Sequence, residues 1–298
     1  MKKPPLRQLI LYPFLSLCIV DSPYTVCVTQ IRIEEKMLVD GMMDENYSSH
    51  TSLADLHYAR AIGEIPEMES SKAMATFIAK EYSPGDSIAD IGCSSGHYLR
   101  SIKNALAKDE IDYTGVEFHE LLFSRAKSAW KNDKNANFRQ GSIFDIPAKD
   151  KEFDITFCSN LLMHVPTIVK PIEELIRITK RVVLIRTYIG TKSFKIQEVK
   201  NNSFWPNTEI RPENEFDDEG NPKLFEYENI WGREYFESTV NRYAPNSKIE
   251  FTVDDMWDAS AIDETAETGN LPNATKTLNG WQIFDYVLLP YHFVVIRL

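Results

Sequence analysis

The sequence predicts a doubly wound α/β fold on a mostly parallel, seven-stranded sheet, and three observations carry that expectation. From about Ser70 onward, short apolar runs alternate with segments of helical period. The fourth run, Phe153 to Cys158, is apolar almost throughout, as a strand covered on both faces must be. The first run ends in Asp90-Ile91-Gly92-Cys93-Ser94-Ser95-Gly96, a turn of small residues that leads into a helix. Strand, glycine turn and helix open such folds, because glycine lets the backbone approach a ligand and the helix N-terminus offers free N–H groups.

The elements follow in order. Met74, Phe77 and Ile78 share one helical face, and Ser83-Pro84-Gly85-Asp86 turns the chain into the first strand, Ser87 to Ile91. Leu99, Ile102 and Leu106 mark the helix after the glycine turn. Tyr113 to Glu117 reads as the second strand, and Leu122, Ala126 and Ala129 as its helix. A short third strand near Asn137 to Arg139 precedes a turn from Gly141 to Pro147. After the fourth strand, Pro171, Ile172, Leu175 and Ile176 define a helix, and Arg181 to Arg186 the fifth strand. Beyond Thr187 the rhythm breaks into an insertion at about 192–230, whose acidic centre, Glu213 to Gly220, reads as a solvated loop. A helix from Trp231 to Tyr243 follows, with Tyr235, Phe236 and Val240 on one side. Ile249 to Val253 and Tyr291 to Ile296 supply two last strands, one of them expected to be antiparallel.

Bulk properties bound the function. A net charge of −11 and an isoelectric point near 5.1 argue against nucleic-acid binding, which needs a basic footprint, and favour a small-molecule partner. Cys18, Cys27, Cys93 and Cys158 lack C-x-x-C spacing, so reduced thiols in a cytoplasmic setting are expected. The six histidines show no ligand spacing, and no metal site is expected. Residues 1–42 form a leader of uncertain status: Met1-Lys2-Lys3 and an apolar stretch from Leu9 to Val20 loosely match a secretory signal, yet the stretch is too short to span a bilayer and no cleavage site follows. Stable membrane association is not expected. Residues 43–69 read as an N-terminal helical lid and 70–298 as the main domain.

The ordered constellation of strand-end residues resembles class I S-adenosylmethionine-dependent methyltransferases of the small-molecule type. Asp90, Gly92 and Gly96 match the acid and glycines of the family's first motif, with Ser94 where a middle glycine is commonest. The resemblance implies a Rossmann-like methyltransferase fold with S-adenosylmethionine as cofactor. It places Asp90, Gly92, Cys93, Ser94 and Gly96 around the methionine end. Glu117 is expected to accept both ribose hydroxyls, by the logic of the ribose-binding acid in dinucleotide folds. Phe118, Ser142 and Ile143 fall at the adenine pocket, with Asp145 capping the turn. Ser159-Asn160-Leu161-Leu162-Met163-His164-Val165-Pro166 matches the loop that closes over the sulfonium, which makes Asn160 and Leu161 lining positions. His97 is expected to start a helix near the cofactor.

Methyl transfer from a sulfonium needs no protonated leaving group, so such an enzyme can work by positioning and by excluding water. His164 is the candidate general base if the acceptor is a hydroxyl. Either O- or N-methylation is open, with a sugar-like or natural-product intermediate as the acceptor. Tyr47, His57, Tyr58 and Arg60 are candidates for a lid. Trp205, Tyr227, Trp231 and Tyr235 either line the acceptor pocket or pack as the core of the insertion. The rival functions are a nicotinamide-dependent oxidoreductase, for which G-x-G-x-x-G is lacking, and a non-catalytic partner protein on the same fold.

Overall fold

Why the strands pair as they do follows from burial. In the computed structural model, which describes residues 51–199, 216–223, 225–255, 275–278, 281–284 and 287–298, the central strands are almost wholly enclosed. Strands β1 (Ser87–Ile91), β2 (Asp112–Glu117), β4 (Phe153–Ser159) and β5 (Thr179–Gly190) each bury an unbroken run of four or more residues. Such strands need helices on both faces, and parallel pairing with helical crossovers supplies them.

The main sheet runs β3 (Ala136–Gln140), β2, β1, β4, β5, β13 (Tyr291–Arg297), β9 (Lys248–Val253). The first five are parallel, and β13 is antiparallel to both neighbours. A short strand, β8 (Trp231–Gly232), adds to the end of β5. The expected seven strands and the antiparallel closing member are therefore present.

Helices α1 (Thr51–Ile62), α2 (Glu69–Glu81), α3 (His97–Leu106), α4 (Glu120–Ala129), α5 (Val169–Ile178) and α6 (Arg233–Tyr243) cover the sheet. Met74, Phe77 and Ile78 of α2 and Leu99 and Ile102 of α3 form one core with Ile88, Tyr113, Phe157 and Phe293. Ile172 and Leu175 of α5 and Phe236 and Val240 of α6 form the other core with Ala89, Val183 and Val294. Helix α1 packs on α3 and α4.

Three departures from the sequence reading have local causes. Strand β5 runs past Arg186 to Gly190, because Tyr188 pairs with Tyr291 and Ile189 with Trp231. The insertion is not all loop: β6 (Gln197–Val199) and β7 (Phe225–Tyr227) form an antiparallel hairpin, and Asp217 caps a turn at Glu219 and Asn221. Strands β10 (Thr275–Leu278), β11 (Trp281–Phe284) and β12 (Val287–Leu289) form a small antiparallel sheet that short apolar runs did not announce. Among the described residues, no helix is long and apolar enough to cross a membrane. The leader, Tyr47 and Trp205 lie outside the described residues.

Candidate cofactor and active site

Strand order places the site. The chain steps outward from β1 to β3, then returns to the other side of β1 as β4. At that switch point the loops leaving β1 and β4 diverge, and a crevice opens at the strands' carboxyl ends. The glycine turn sits on the β1 side. Gly92 and Gly96 adopt left-handed φ of 80° and 75°. A Cβ on Gly92 would sit 2.8 Å from Leu161 Cδ2, so only glycine lets the two loops meet there. The carbonyl of Val116 accepts from both Gly92 N (2.8 Å) and Cys93 N (3.1 Å), and Trp130 Nε1 donates to Gly96 O at 3.0 Å. The indole thus braces the turn from below.

Glu117 ends β2 and is buried. Its Oε2 accepts from Ser94 N at 2.8 Å and its Oε1 from His119 N at 2.9 Å. Burial raises its pKa, and the backbone N–H groups around it oppose the rise. Each oxygen keeps acceptor capacity toward the cavity it lines. Phe118, Ser142 and Ile143 line the same wall, and Ser142 Oγ accepts from Phe144 N at 3.2 Å. The cavity holds about 350 Å³, within the range of small-molecule and cofactor sites.

The opposite wall is the loop after β4. Asn160 takes a left-handed φ of 56°, and its Oδ1 accepts from Arg186 Nη1. Arg186 is buried, pairs with Asp254 through Nε at 2.7 Å, and lies 3.6 Å from the Tyr291 ring centroid. His164 Nδ1 lies 2.8 Å from the Tyr227 carbonyl and 3.4 Å from Glu228 Oε1. A carbonyl can only accept, so Nδ1 carries the proton and Nε2 is left as the basic nitrogen. The insertion holds this loop in place: Asn229 N donates to Met163 O at 2.9 Å, Asn229 Nδ2 to Val165 O at 2.8 Å, and Trp231 Nε1 to Leu162 O at 2.8 Å.

Of the expected positions, Gly92, Ser94, Glu117, Phe118, Ser142, Ile143, Asn160, Leu161 and His164 line one cavity. Asp90, Cys93 and Gly96 do not; they lie behind its wall and shape the turn. Asp90 accepts from the Tyr113 hydroxyl at 2.7 Å, and burial lifts its carboxyl to about 8, with the Glu117 charge adding to the rise. A neutral, enclosed carboxyl orients the turn but offers no charge to a cofactor's ammonium. Of the described aromatic candidates none lines the cavity: Trp231 is 3% exposed, the exposed Tyr235 stacks on it at 6.1 Å, and Tyr227 contributes its carbonyl to His164. Of the lid candidates, His57 reaches the cavity; the Tyr58 ring lies under Arg125, and Arg60 gives its carbonyl to Arg100.

Tyr98, Tyr188, Glu228, Leu289 and Tyr291 also line the cavity and were not singled out as site residues. Each sits in an ordinary helix, strand or insertion pattern, with no local signal of its role. Glu228 belongs to a trio with Glu198 and Glu226 whose oxygens lie within 4.8 Å of one another, close enough to share a cation.

A profile for a methyltransferase domain matches residues 82–234, just over half of the chain. The chain belongs to the class I S-adenosylmethionine-dependent methyltransferases. This methyltransferase is 28% identical over 137 residues to a Schizosaccharomyces pombe protein described as an uncharacterized methyltransferase, covering 42% of this chain and 49% of that one. It is 35% identical over 83 residues to a ubiquinone biosynthesis O-methyltransferase of Coxiella burnetii, covering 28% and 34%. The chain therefore aligns with half or less of the length of these curated relatives. Among solved structures, an S-adenosylmethionine dependent methyltransferase from Mesorhizobium loti is similar at 12% identity, covering 76% of this chain and 98% of that one, with a TM-score of 0.48. The nicotinamide alternative gives way to this membership. The cofactor is S-adenosylmethionine, and the donor set fits it: a buried carboxylate with acceptor capacity and two ring nitrogens of His97 without protein partners line the same cavity.

Proposed function

We propose that this methyltransferase acts on a hydroxyl of a small-molecule acceptor, with His164 as the general base. The observation that carries the reading is the tautomer of His164. Its Nδ1–H is held by the Tyr227 carbonyl, the Glu228 carboxylate lies beside it, and the ring faces the cavity. An imidazole fixed in that way presents a basic Nε2 and can stabilise the proton it gains. An amine that is already neutral needs no such group.

S-adenosylmethionine, when bound, supplies a methyl group on a sulfonium. Glu117 would accept the ribose hydroxyls, Phe118, Ser142 and Ile143 would flank the adenine, and Asn160 and Leu161 would line the reacting centre. Arg186, locked between Asp254 and Asn160, holds the loop that carries His164 at a fixed distance from the glycine turn. Tyr188, Tyr291 and Leu289 form an aromatic and apolar wall that suits an aromatic hydroxyl and excludes water. The likeness to a ubiquinone biosynthesis O-methyltransferase supports that acceptor class, over 28% of this chain.

The test is transfer of labelled methyl from S-adenosylmethionine to a panel of small phenols, aliphatic alcohols and amines, with products identified by mass spectrometry. A methyl ether is the expected product, and His164→Gln should lower kcat about a hundredfold or more while cofactor affinity holds. A methylated amine as the sole product, or full activity in His164→Gln, would overturn the reading.

A further inference from the structure

Beside His164 the cavity wall carries three polar side chains, Tyr188, Glu228 and Tyr291, whose hydrogen bonds do not balance. Tyr188 and Tyr291 meet because they are register partners on the antiparallel strands β5 and β13. Their rings pack edge to face with centroids 4.6 Å apart, and their hydroxyls lie 3.2 Å from each other. Glu228 follows β7 in the insertion. Its Oε1 lies 3.4 Å from His164 Nδ1, and the Tyr188 hydroxyl is within hydrogen-bonding reach of its carboxylate. The three groups thus continue from the proposed base along one side of the acceptor space.

Their protons fall one short. As a carboxylate Glu228 can only accept, and each phenol brings a single proton. The Nδ1 proton of His164 goes to the Tyr227 carbonyl. The Tyr188 proton goes either to Tyr291 or to Glu228, not to both. In the first case Glu228 Oε2, buried and without a hydrogen-bond partner, receives nothing, and the Tyr291 proton has no protein acceptor. In the second, Tyr291 gives its proton to Tyr188 and keeps an oxygen that receives none. Arg186 does not make up the difference: it lies 3.6 Å from the Tyr291 ring centroid but spends its N–H groups on Asp254 and Asn160. One further O–H completes either arrangement, donating to Glu228 while accepting from Tyr291, or donating to Tyr291.

We propose that the acceptor carries a second hydroxyl besides the one that is methylated, and that Tyr188, Glu228 and Tyr291 hold it. This deepens the reading of His164 as the base for a hydroxyl acceptor and rests on it. A site built to pair a substrate hydroxyl rejects an analogue without one, because its own buried polar groups are then left unpaired. An ether oxygen accepts but cannot donate, so a singly methylated diol no longer fits with its remaining hydroxyl at His164. Transfer therefore stops after one methyl group, and the second hydroxyl leaves unmodified in the product.

Initial rates with S-adenosylmethionine and the three dihydroxybenzenes, their monomethyl ethers and phenol test this, each with and without EDTA. Calorimetric binding of the same compounds to the S-adenosylhomocysteine complex reads the preference without turnover. The best diol should exceed phenol and its own monomethyl ether about tenfold or more in kcat/KM and in affinity, and give a monomethylated product. Tyr291→Phe and Tyr188→Phe keep the rings and should each cut that ratio several-fold, while affinity for S-adenosylhomocysteine holds. Phenol equal to every diol, or a ratio unchanged in both variants, would overturn the proposal with O-methylation intact. A preference that EDTA abolishes would overturn it too, since a cation shared by Glu198, Glu226 and Glu228 would then be the partner of the carboxylate. Methylation of amines alone, or failure of every compound to bind or react, would remove the hydroxyl reading and this inference with it.

Discussion

Asp90→Asn tests whether the acid of the glycine turn is a charge or a neutral brace. Burial raises the Asp90 carboxyl from its ordinary 3.8 to about 8, against the opposing hydrogen bond from Tyr113. Between those two values the folded protein holds a proton that the unfolded chain has released. Unfolding then releases that proton, so this residue's contribution to stability is full below pH 3.8 and is lost as pH rises toward 8. One such proton changes stability by about 1.4 kcal/mol per pH unit, which over this window amounts to at most about 6 kcal/mol. Glu117, also raised by burial, adds a slope of the same sign, so the informative quantity is the difference between wild type and variant. Asparagine copies the shape of the protonated acid and can still accept from Tyr113, but it cannot titrate. Urea unfolding from pH 5 to 8 should show wild-type stability falling with pH and the Asp90→Asn curve flatter, so that the variant gains on wild type toward pH 8. Parallel curves for the two proteins would refute the assignment. Cofactor affinity in Asp90→Asn should stay near that of wild type, because the residue lies behind the cavity wall.

The other predictions concern the walls and the core. Glu117→Gln leaves one of the two N–H groups at Ser94 and His119 without its acceptor and weakens the ribose contact, so calorimetric affinity for S-adenosylhomocysteine should fall about tenfold or more. Gly92→Ala puts a Cβ 2.8 Å from Leu161 Cδ2 on a residue at φ 80°, and should cost about 1–3 kcal/mol in chemical unfolding while abolishing the thermal shift that the cofactor produces. Glu228→Gln removes the charge beside His164 but not the Tyr227 hydrogen bond, so kcat should fall less than in His164→Gln. Phe157→Ala, at the centre of the sheet, should cost about 3–5 kcal/mol and leave any residual folded protein able to bind cofactor.

Much of the frame was legible in the chain. Parallel strands between helices are mostly apolar, and β1 and β4 were readable largely for that reason. The glycine turn was readable because small residues between a strand and a helix have few other uses, and Glu117 because a carboxylate at a strand's end carries a charge where the fold has few. These are properties of residues near one another in sequence. They placed nine of the expected site positions in one cavity.

What only the tertiary structure decided depends on residues far apart in the chain. Asp90 became a neutral brace because Tyr113 and the sheet enclose it, and no neighbour in sequence signals that desolvation. Trp231 became a clamp on the His164 loop because its indole meets Leu162 O across 69 positions. Ser94 gained a partner in His57 through the seating of α1, 37 positions upstream. The sequence by itself determined the sheet, the turn and the cofactor class, since short-range pattern and residue chemistry suffice for these. The tautomer of His164, the charge state of Asp90 and the stacking of His57 on His97 were decided by burial and long-range contact, which exist only once the chain has folded.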